Sequence, residues 1–271
     1  MNTKKLIDKS KFYRLQILNK IFDAKKGHIG GSLSIIDFLT ILYQGGFVDH
    51  KKKPEVNLFK DNTCLLSKGH CAIAQYVILN DLKFISNKQL KNFNLNGAKI
   101  AEHPDLHIRG IGLTSGSLGH VLSQAMGIAY QRYLQKNKKK IYVVLGDGEL
   151  SEGSIWESLL SLKDFSFLSN LVIVIDHNKF MTLKKVEYVD FNLINSFFKS
   201  LNNINVEDCD GHDFIKINLK LQKFKRNKKL NILFLKTVKG KGISFMENNP
   251  IWHHKVPNEK EFKLASYELN N

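Results

Sequence analysis

Two side chains that carry oxygen ligands, Asp147 and Asn178, stand 31 residues apart in this chain. An apolar segment, 141–145, leads into a Gly-Asp-Gly turn at 146–148, and after a helix-like stretch a second apolar segment, 171–175, ends just before Asn178. The carboxyl ends of parallel strands share one edge of a sheet, where loop amides and helix N-termini bind phosphates and metals. Carboxylate and amide oxygens suit Mg²⁺ or Ca²⁺, and the two glycines permit close approach of the backbone to a phosphate. The segment therefore predicts a metal and phosphate site.

Four histidines stand in loop-like contexts next to turns or helix starts: His28, His70, His103 and His253. A single histidine in a loop is more often structural than functional, but four in similar contexts favour a shared role. An imidazole can donate hydrogen bonds to diphosphate oxygens and sugar hydroxyls, and it titrates near neutral pH. Their spacing along the chain does not match a zinc site.

Strand-like and helix-like segments alternate along the whole chain. A helix is predicted at 10–23, a helix start at Ser34, and a buried strand at 61–67. Further helices are predicted at 35–44, 121–135, 191–200 and 212–226, and a last buried strand at 231–237. This alternation predicts a doubly wound, mostly parallel α/β sheet with helices on both faces. Since no linker or repeat interrupts it, we expect a single domain over 1–271.

Composition limits the class of protein. At 271 residues and 43% hydrophobic content, the chain can bury a large core. It contains no run of about eighteen apolar residues, and its N-terminus lacks the apolar stretch of a signal peptide. Three cysteines show no metal-ligand pattern and suit a reducing compartment. We therefore expect a cytoplasmic protein without a membrane partner.

The formal net charge of +16 permits two interpretations. A basic groove could bind nucleic acid or anionic substrates. Alternatively, the excess lysines lie on solvated loops and helix faces, as at 136–140 and 216–229. Neither run is interleaved with the aromatic residues of a single-strand binder, so we favour solvated lysines and no nucleic-acid partner.

The Gly-Asp-Gly turn followed by Asn178 resembles the thiamin diphosphate motif, and several other segments resemble those of transketolases in the same order. These segments read KGHIGGSLSIIDFLTILY, LLSKGHCAIAQY, EHPDLHIRGIGLTSGSLGH, DCDGHD, TVKGKGISFME and WHHKVP. The length is similar to that of the separate N-terminal subunit of a split transketolase. The resemblance implies thiamin diphosphate and Mg²⁺ (or Ca²⁺) as cofactors, and the transfer of a two-carbon ketol unit from a ketose, phosphorylated or nucleotide-linked, to an aldehyde.

The resemblance also implies a role for individual residues. The metal would be held by Asp147, Asn178 and the backbone carbonyl of Phe180. The cofactor would be contacted by His70, Gly116, Leu118, Gly146, Gly148, Glu149, Asn178 and His253. The catalytic residues would be His28, His103 and His253, of which His28 and His103 would face the sugar. Glu152 would lie near a subunit interface.

A glutamate that activates the cofactor belongs, in transketolases, to a pyrimidine-binding domain that this chain is too short to contain. The resemblance therefore implies a two-plus-two heterotetramer with a C-terminal partner subunit. Val121, His254 and the 179–183 loop depart from the family pattern and put the acceptor sugar in doubt. Two other functions remain open: the α subunit of a 2-oxoacid dehydrogenase, which shares the Gly-Asp-Gly and Asn pair, and a non-catalytic protein that kept the cofactor fold.

Overall fold

The computed structural model describes residues 2–49, 57–182, 184–185, 191–201 and 203–271. Its centre is a five-stranded sheet in which every neighbouring pair is parallel. The strands are β1 (Thr63–Leu66), β2 (Ile141–Gly146), β3 (Leu171–His177), β6 (Ile204–Asp210) and β7 (Leu230–Lys236). Their spatial order is β1-β2-β3-β7-β6. A separate two-stranded antiparallel hairpin pairs β4 (Phe180–Met181) with β5 (Lys184–Lys185).

Helices cover both faces of the sheet, so the predicted doubly wound α/β class is confirmed. They are α1 (Thr3–Ala24), α2 (Ile29–Gln44), α3 (Ala72–Asp81), α4 (Asn87–Lys91), α5 (Val121–Leu134), α6 (Gly153–Phe165), α7 (Phe191–Ser200), α8 (Phe214–Arg226) and α9 (Glu259–Asn270). None of the helices in the described part of the chain is long and apolar enough to cross a bilayer.

Alternation along the central strands divides the interior into two cores. On β2, Tyr142 and Val144 join the core that contains α1, α2 and α3, whereas Ile141, Val143 and Leu145 join the core beneath α5 and α6. Successive side chains of a strand point to opposite faces, so a strand covered on both faces must be apolar at every position. This explains why β2 and β3 read as continuous apolar runs.

The predicted helix start at Ser34 is wrong, because α2 begins at Ile29. Gly30 and Gly31 belong to the helix, since close packing rather than a turn requires them. A Cβ on Gly30 would lie 2.8 Å from the carbonyl oxygen of Trp252, and one on Gly31 would lie 2.8 Å from the sulfur of Cys71. Ser34 is buried inside the helix, and its hydroxyl donates to Asp176.

Several other boundaries differ from the predicted ones. The first helix extends to Thr3, and the predicted helix at 212–226 begins at Phe214, after Asp213, whose side chain caps it. The elements that were not predicted include α4, the β4–β5 hairpin and the C-terminal helix α9. Strand β6 was not predicted either, and its sequence, INVEDCD, is polar because it forms the sheet edge. On α8, Lys220 and Lys223 both pair with Glu207 of β6.

A buried ion pair fastens α1 to α2. The Arg14 guanidinium donates to both oxygens of Asp37, at 2.8 and 2.7 Å. His212 completes the group: its Nε2 accepts from the Val238 amide, and its Nδ1 lies 2.7 Å from Asp37 Oδ2. Burial opposes ionisation of Asp37, but the charge of Arg14 outweighs it and holds the pKa of this carboxyl well below its ordinary value.

We expect Asp37→Asn to destabilise the protein by about 3–5 kcal/mol, because it leaves the Arg14 charge buried without a partner. Urea unfolding would measure the change. The control is Asp208→Ala, which removes a half-exposed pair with Lys236 and should cost at most about 1 kcal/mol. Since the folded pKa of Asp37 is depressed, its stabilisation is present above the ordinary carboxyl pKa and fades as pH falls toward the folded pKa. Equal losses in the two variants would contradict the assigned role of the buried pair.

Candidate active site

One pocket lies at the carboxyl edge of the sheet, where β1, β2 and β3 end. It brings together every predicted metal, cofactor and catalytic residue: His28, His70, His103, Gly116, Leu118, Gly146, Asp147, Gly148, Glu149, Asn178, Phe180 and His253. Lys68 and Lys239 also line it, and no role was predicted for either. Glu152 lies outside this lining and is exposed at the start of α6.

The lysine that follows β1 forms a buried ion pair at the pocket. Lys68 is buried and its ammonium group pairs with Asp176 at the end of β3. Asp176 also accepts hydrogen bonds from Ser34, Thr237 and Asn178. Burial opposes ionisation of both partners, but their mutual attraction raises the pKa of Lys68 and lowers the pKa of Asp176. Both groups therefore stay charged at neutral pH.

The second buried carboxylate, Asp147, has no cation so close to it. Its Oδ1 accepts from the Gly148 amide at 2.9 Å, and its Oδ2 accepts from the Lys179 amide. Burial, followed by the negative charge of Asp176, raises the pKa of Asp147 to about 7. Asn178, which is also buried, accepts from the Phe180 amide at 3.1 Å. This corner of the pocket thus offers oxygen ligands, and the charge of Lys68 only partly offsets the burial of Asp147.

Three imidazoles and a second lysine form the opposite wall. The ring of His28 lies 5.0 Å from that of His70 and 4.9 Å from that of His253, measured between centroids. Burial lowers the pKa of His28 to about 4 and of His253 to about 3, and holds that of His70 well below its ordinary value. These rings are therefore neutral at neutral pH and bind ligands by hydrogen bonds rather than by charge.

Lys239 is the charged group of that wall. It is buried, and its ammonium group lies 3.0 Å from the carbonyl oxygen of Thr182 and 3.1 Å from Nδ1 of His253. Burial, and then the charge of Lys68, lower the pKa of Lys239 to about 8. The surrounding sequence, TVKGKG, did not distinguish this lysine from the other lysines of the chain.

Glu149 links three segments of the pocket by hydrogen bonds. Its Oε1 accepts from the Ser67 hydroxyl and, at 2.9 Å, from the Gly119 amide, while its Oε2 accepts from the Gly146 amide at 3.1 Å. The carboxylate thereby fixes the end of β1, the loop before α5 and the end of β2. Burial raises the pKa of Glu149. Its hydrogen bonds give it a positioning role in the pocket.

The two glycines of the turn differ in how tightly they are packed. A Cβ on Gly148 would lie 2.7 Å from Cγ and 3.2 Å from Cα of Met181 on the hairpin. A Cβ on Gly146 would meet only Lys68, at 3.9 Å, so the chain itself leaves room there. Close packing of the hairpin thus requires glycine at 148 even without a ligand.

This chain has a parallel α/β sheet with oxygen ligands, lysines and imidazoles at its carboxyl edge. These features are typical of the class of proteins that bind phosphorylated cofactors. Residues 4–268 match the family described as transketolase, thiamine diphosphate binding domain. The chain belongs to this family. This finding confirms the predicted family and the predicted cofactor, thiamin diphosphate.

Relatives of similar length support this assignment. The chain is 33% identical over 262 residues to one subunit of the apulose-4-phosphate transketolase of Phocaeicola vulgatus, covering 95% of this chain and 91% of the relative. It is 31% identical over 258 residues to the 6-deoxy-6-sulfo-D-fructose transketolase subunit SqwG of Clostridium sp., covering 90% and 88%. These relatives favour the transketolase prediction over the 2-oxoacid dehydrogenase and the non-catalytic alternatives.

Among solved structures, the transketolase of Campylobacter jejuni superposes with a TM-score of 0.89 at 26% identity. The alignment covers 100% of this chain and 43% of that one. The chain therefore spans less than half the length of that transketolase, and its fold is that of the matched part.

We expect Gly148→Ala to weaken thiamin diphosphate binding at least about tenfold, because the new methyl group must push the hairpin residue Met181 away from the pocket. Calorimetric titration of the cofactor would measure the loss. Gly127→Ala is the matched control, since a Cβ there meets nothing within 4 Å on helix α5 and should stabilise the helix by about 0.5–1 kcal/mol. Unchanged cofactor affinity in the first variant would show that the hairpin does not border the bound cofactor.

Proposed function

We propose that this chain is the diphosphate-binding subunit of a two-component transketolase. With its partner it would transfer a two-carbon ketol unit from a ketose to an aldehyde, using thiamin diphosphate and Mg²⁺ (or Ca²⁺). The proposal depends above all on one observation: a single pocket combines Asp147, a buried carboxylate whose pKa is raised, with two buried lysines and four histidines.

The residues at the ends of β2 and β3 fit a divalent cation. Asp147 offers a buried carboxylate, Asn178 a buried amide oxygen and Phe180 a backbone carbonyl, and oxygen ligands of this kind suit Mg²⁺ and Ca²⁺. A cation there would offset the burial and the negative charge of Asp176, which together raise the pKa of Asp147. It would thereby favour the ionised carboxylate at neutral pH.

The opposite wall fits the diphosphate. Lys239 carries a positive charge that is flanked by a carbonyl oxygen and an imidazole rather than by a carboxylate. His70 and His253, as neutral rings, would donate hydrogen bonds to phosphate oxygens, and the Gly148 amide would add another. An anion beside Lys239 would strengthen its protonation, because opposite charges favour each other's ionised forms.

When bound, thiamin diphosphate supplies the nucleophilic carbon that carries the ketol unit between sugars. His28 and His103, at the mouth of the pocket, would orient the sugar by hydrogen bonds to its hydroxyl and carbonyl oxygens, and His253 would border both cofactor and sugar. The relatives are named for a phosphorylated and a sulfonated sugar. We therefore propose a sugar substrate that carries an anionic group.

The partner would be a C-terminal subunit with the pyrimidine-binding domain, in a two-plus-two heterotetramer in the cytoplasm. Two relatives are named as one subunit of a transketolase, which implies a second subunit for them. Exposed apolar side chains on α5 and α6, including Tyr133, Leu134 and Leu160, would be covered by such a partner. Exposed Glu152 lies at the start of α6, beside Gly119 in the loop before α5.

The histidines should divide into two groups. We expect His28→Ala and His103→Ala to lower kcat/KM about tenfold or more at near-normal cofactor affinity, because they are assigned to the sugar. His70→Ala should instead weaken thiamin diphosphate binding. Steady-state kinetics of the assembled enzyme and calorimetry would separate the two effects. Weaker cofactor binding in all three variants would remove this division.

We expect Asp147→Ala to abolish Mg²⁺-dependent thiamin diphosphate binding without unfolding the protein, because this side chain is the one carboxylate in the proposed ligand set. Calorimetric titrations with and without Mg²⁺ would measure it. Asp164→Ala, an exposed change on α6, is the control and should bind normally. A variant that still binds the cofactor with full Mg²⁺ dependence would rule out the metal assignment.

The isolated chain should bind thiamin diphosphate yet catalyse no ketol transfer, because the group that activates the pyrimidine must lie within hydrogen-bond reach and belongs to the partner. Addition of a subunit with the pyrimidine-binding domain should restore turnover and yield a complex with two copies of each chain. A coupled activity assay and light scattering would test both points. Robust turnover by the chain alone would refute the two-component proposal.

A further inference from the structure

Three side chains from distant parts of the chain meet at His28, which lines the pocket. They are His28 itself, Glu102 in the loop before His103, and His254, which ends the turn at 250–253. His28 Nδ1 lies 2.7 Å and His254 Nε2 lies 3.3 Å from Oε1 of Glu102. One nitrogen or oxygen atom from each residue lies within 4.8 Å of the other two.

The central atoms of this cluster are buried without hydrogen bonds. Glu102 is only 8% exposed, and its Oε1 and the Nδ1 of His28 are both shielded from solvent. Although these two atoms lie close together, their contact lacks the alignment of a hydrogen bond, and neither has another hydrogen-bond partner. A buried polar atom without a partner is costly unless something else binds it.

We propose that His28, Glu102 and His254 form a binding site for a divalent transition metal such as Zn²⁺. Two imidazoles and one carboxylate are the ligands of catalytic zinc sites and of non-haem iron sites. Three protein ligands leave at least one coordination position for water or for an oxygen of another molecule. This site is separate from the oxygen-ligand corner at Asp147.

The residue types of the cluster suit a metal. A neutral imidazole and an ionised carboxylate are the forms that ligate metals. Lys26, whose ammonium lies 3.5 Å from Oε2 of Glu102, is 54% exposed and can move into solvent when a cation binds.

A metal at this site would also determine which ring nitrogen of His28 carries the proton. Its effect on sugar binding rests on the proposed function. A neutral imidazole bound through Nδ1 carries its proton on Nε2, so His28 would be fixed as a hydrogen-bond donor. The sequence did not reveal the site because its ligands come from three separate segments, and their spacing matches no zinc motif.

Calorimetric titration of the full chain with Zn²⁺, in excess Mg²⁺ so that the Asp147 corner is saturated, tests the proposal. We expect one equivalent to bind. Glu102→Gln and His254→Gln should each weaken binding at least about tenfold, as loss of even an outer partner of a metal ligand commonly does. His107→Gln is the control, because His107 is 93% exposed beside Asp105 and should leave Zn²⁺ affinity unchanged.

Co²⁺ provides a second measurement, since its visible absorption reports coordination by protein ligands. The wild-type chain and the His107 variant should show the bands, and the Glu102 and His254 variants should lose them. His254 is half-exposed, so its variant keeps the test valid even if Glu102→Gln fails to fold. Absence of Zn²⁺ binding, or equal affinity in all four proteins, would overturn the proposal. Thiamin diphosphate binding, measured separately, would be unaffected by that failure.

Discussion

The buried ion pair between Lys68 and Asp176 organises the site. It joins the end of β1 to the end of β3, and through hydrogen bonds from Ser34 and Thr237 it includes α2 and the segment after β7. Buried charges are tolerated only when they are paired and hydrogen-bonded, so these elements must come together for either residue to be buried. The pocket lies at the sheet edge that these contacts assemble.

Two further charged groups are buried in the pocket, and burial shifts the pKa of each toward its neutral form. Asp147 is a buried carboxylate with a raised pKa, and Lys239 is a buried ammonium with a lowered pKa. Each would be stabilised by a ligand of the opposite charge. The proposed metal diphosphate would supply both, with its metal at Asp147 and its phosphate oxygens near Lys239 and the neutral histidines. These two charges therefore support the proposal of a metal diphosphate as the ligand.

Much of this site was predictable because its residues follow apolar strands. Asp147 and Asn178 stand at strand ends that topology forces to one edge. The misplaced start of α2 had a different cause: Gly30 and Gly31 precede the predicted helix start, but they allow close helix packing that only tertiary contacts reveal. Edge strand β6 was missed because it is too polar to resemble the buried strands.

Charged residues of the interior were the hardest to predict. Lysine is rarely buried, so neither Lys68 nor Lys239 was distinguishable in a chain with 41 lysines and arginines. Glu102 and His254 form a cluster only because distant loops meet at His28, which the sequence does not show.

The most direct test of the account is the affinity of the chain for thiamin diphosphate, thiamin monophosphate and thiamin at fixed Mg²⁺. We expect the affinity to fall steeply with each phosphate removed, and Mg²⁺ to strengthen only diphosphate binding. Equal affinity for all three compounds would contradict a pocket built for a metal diphosphate.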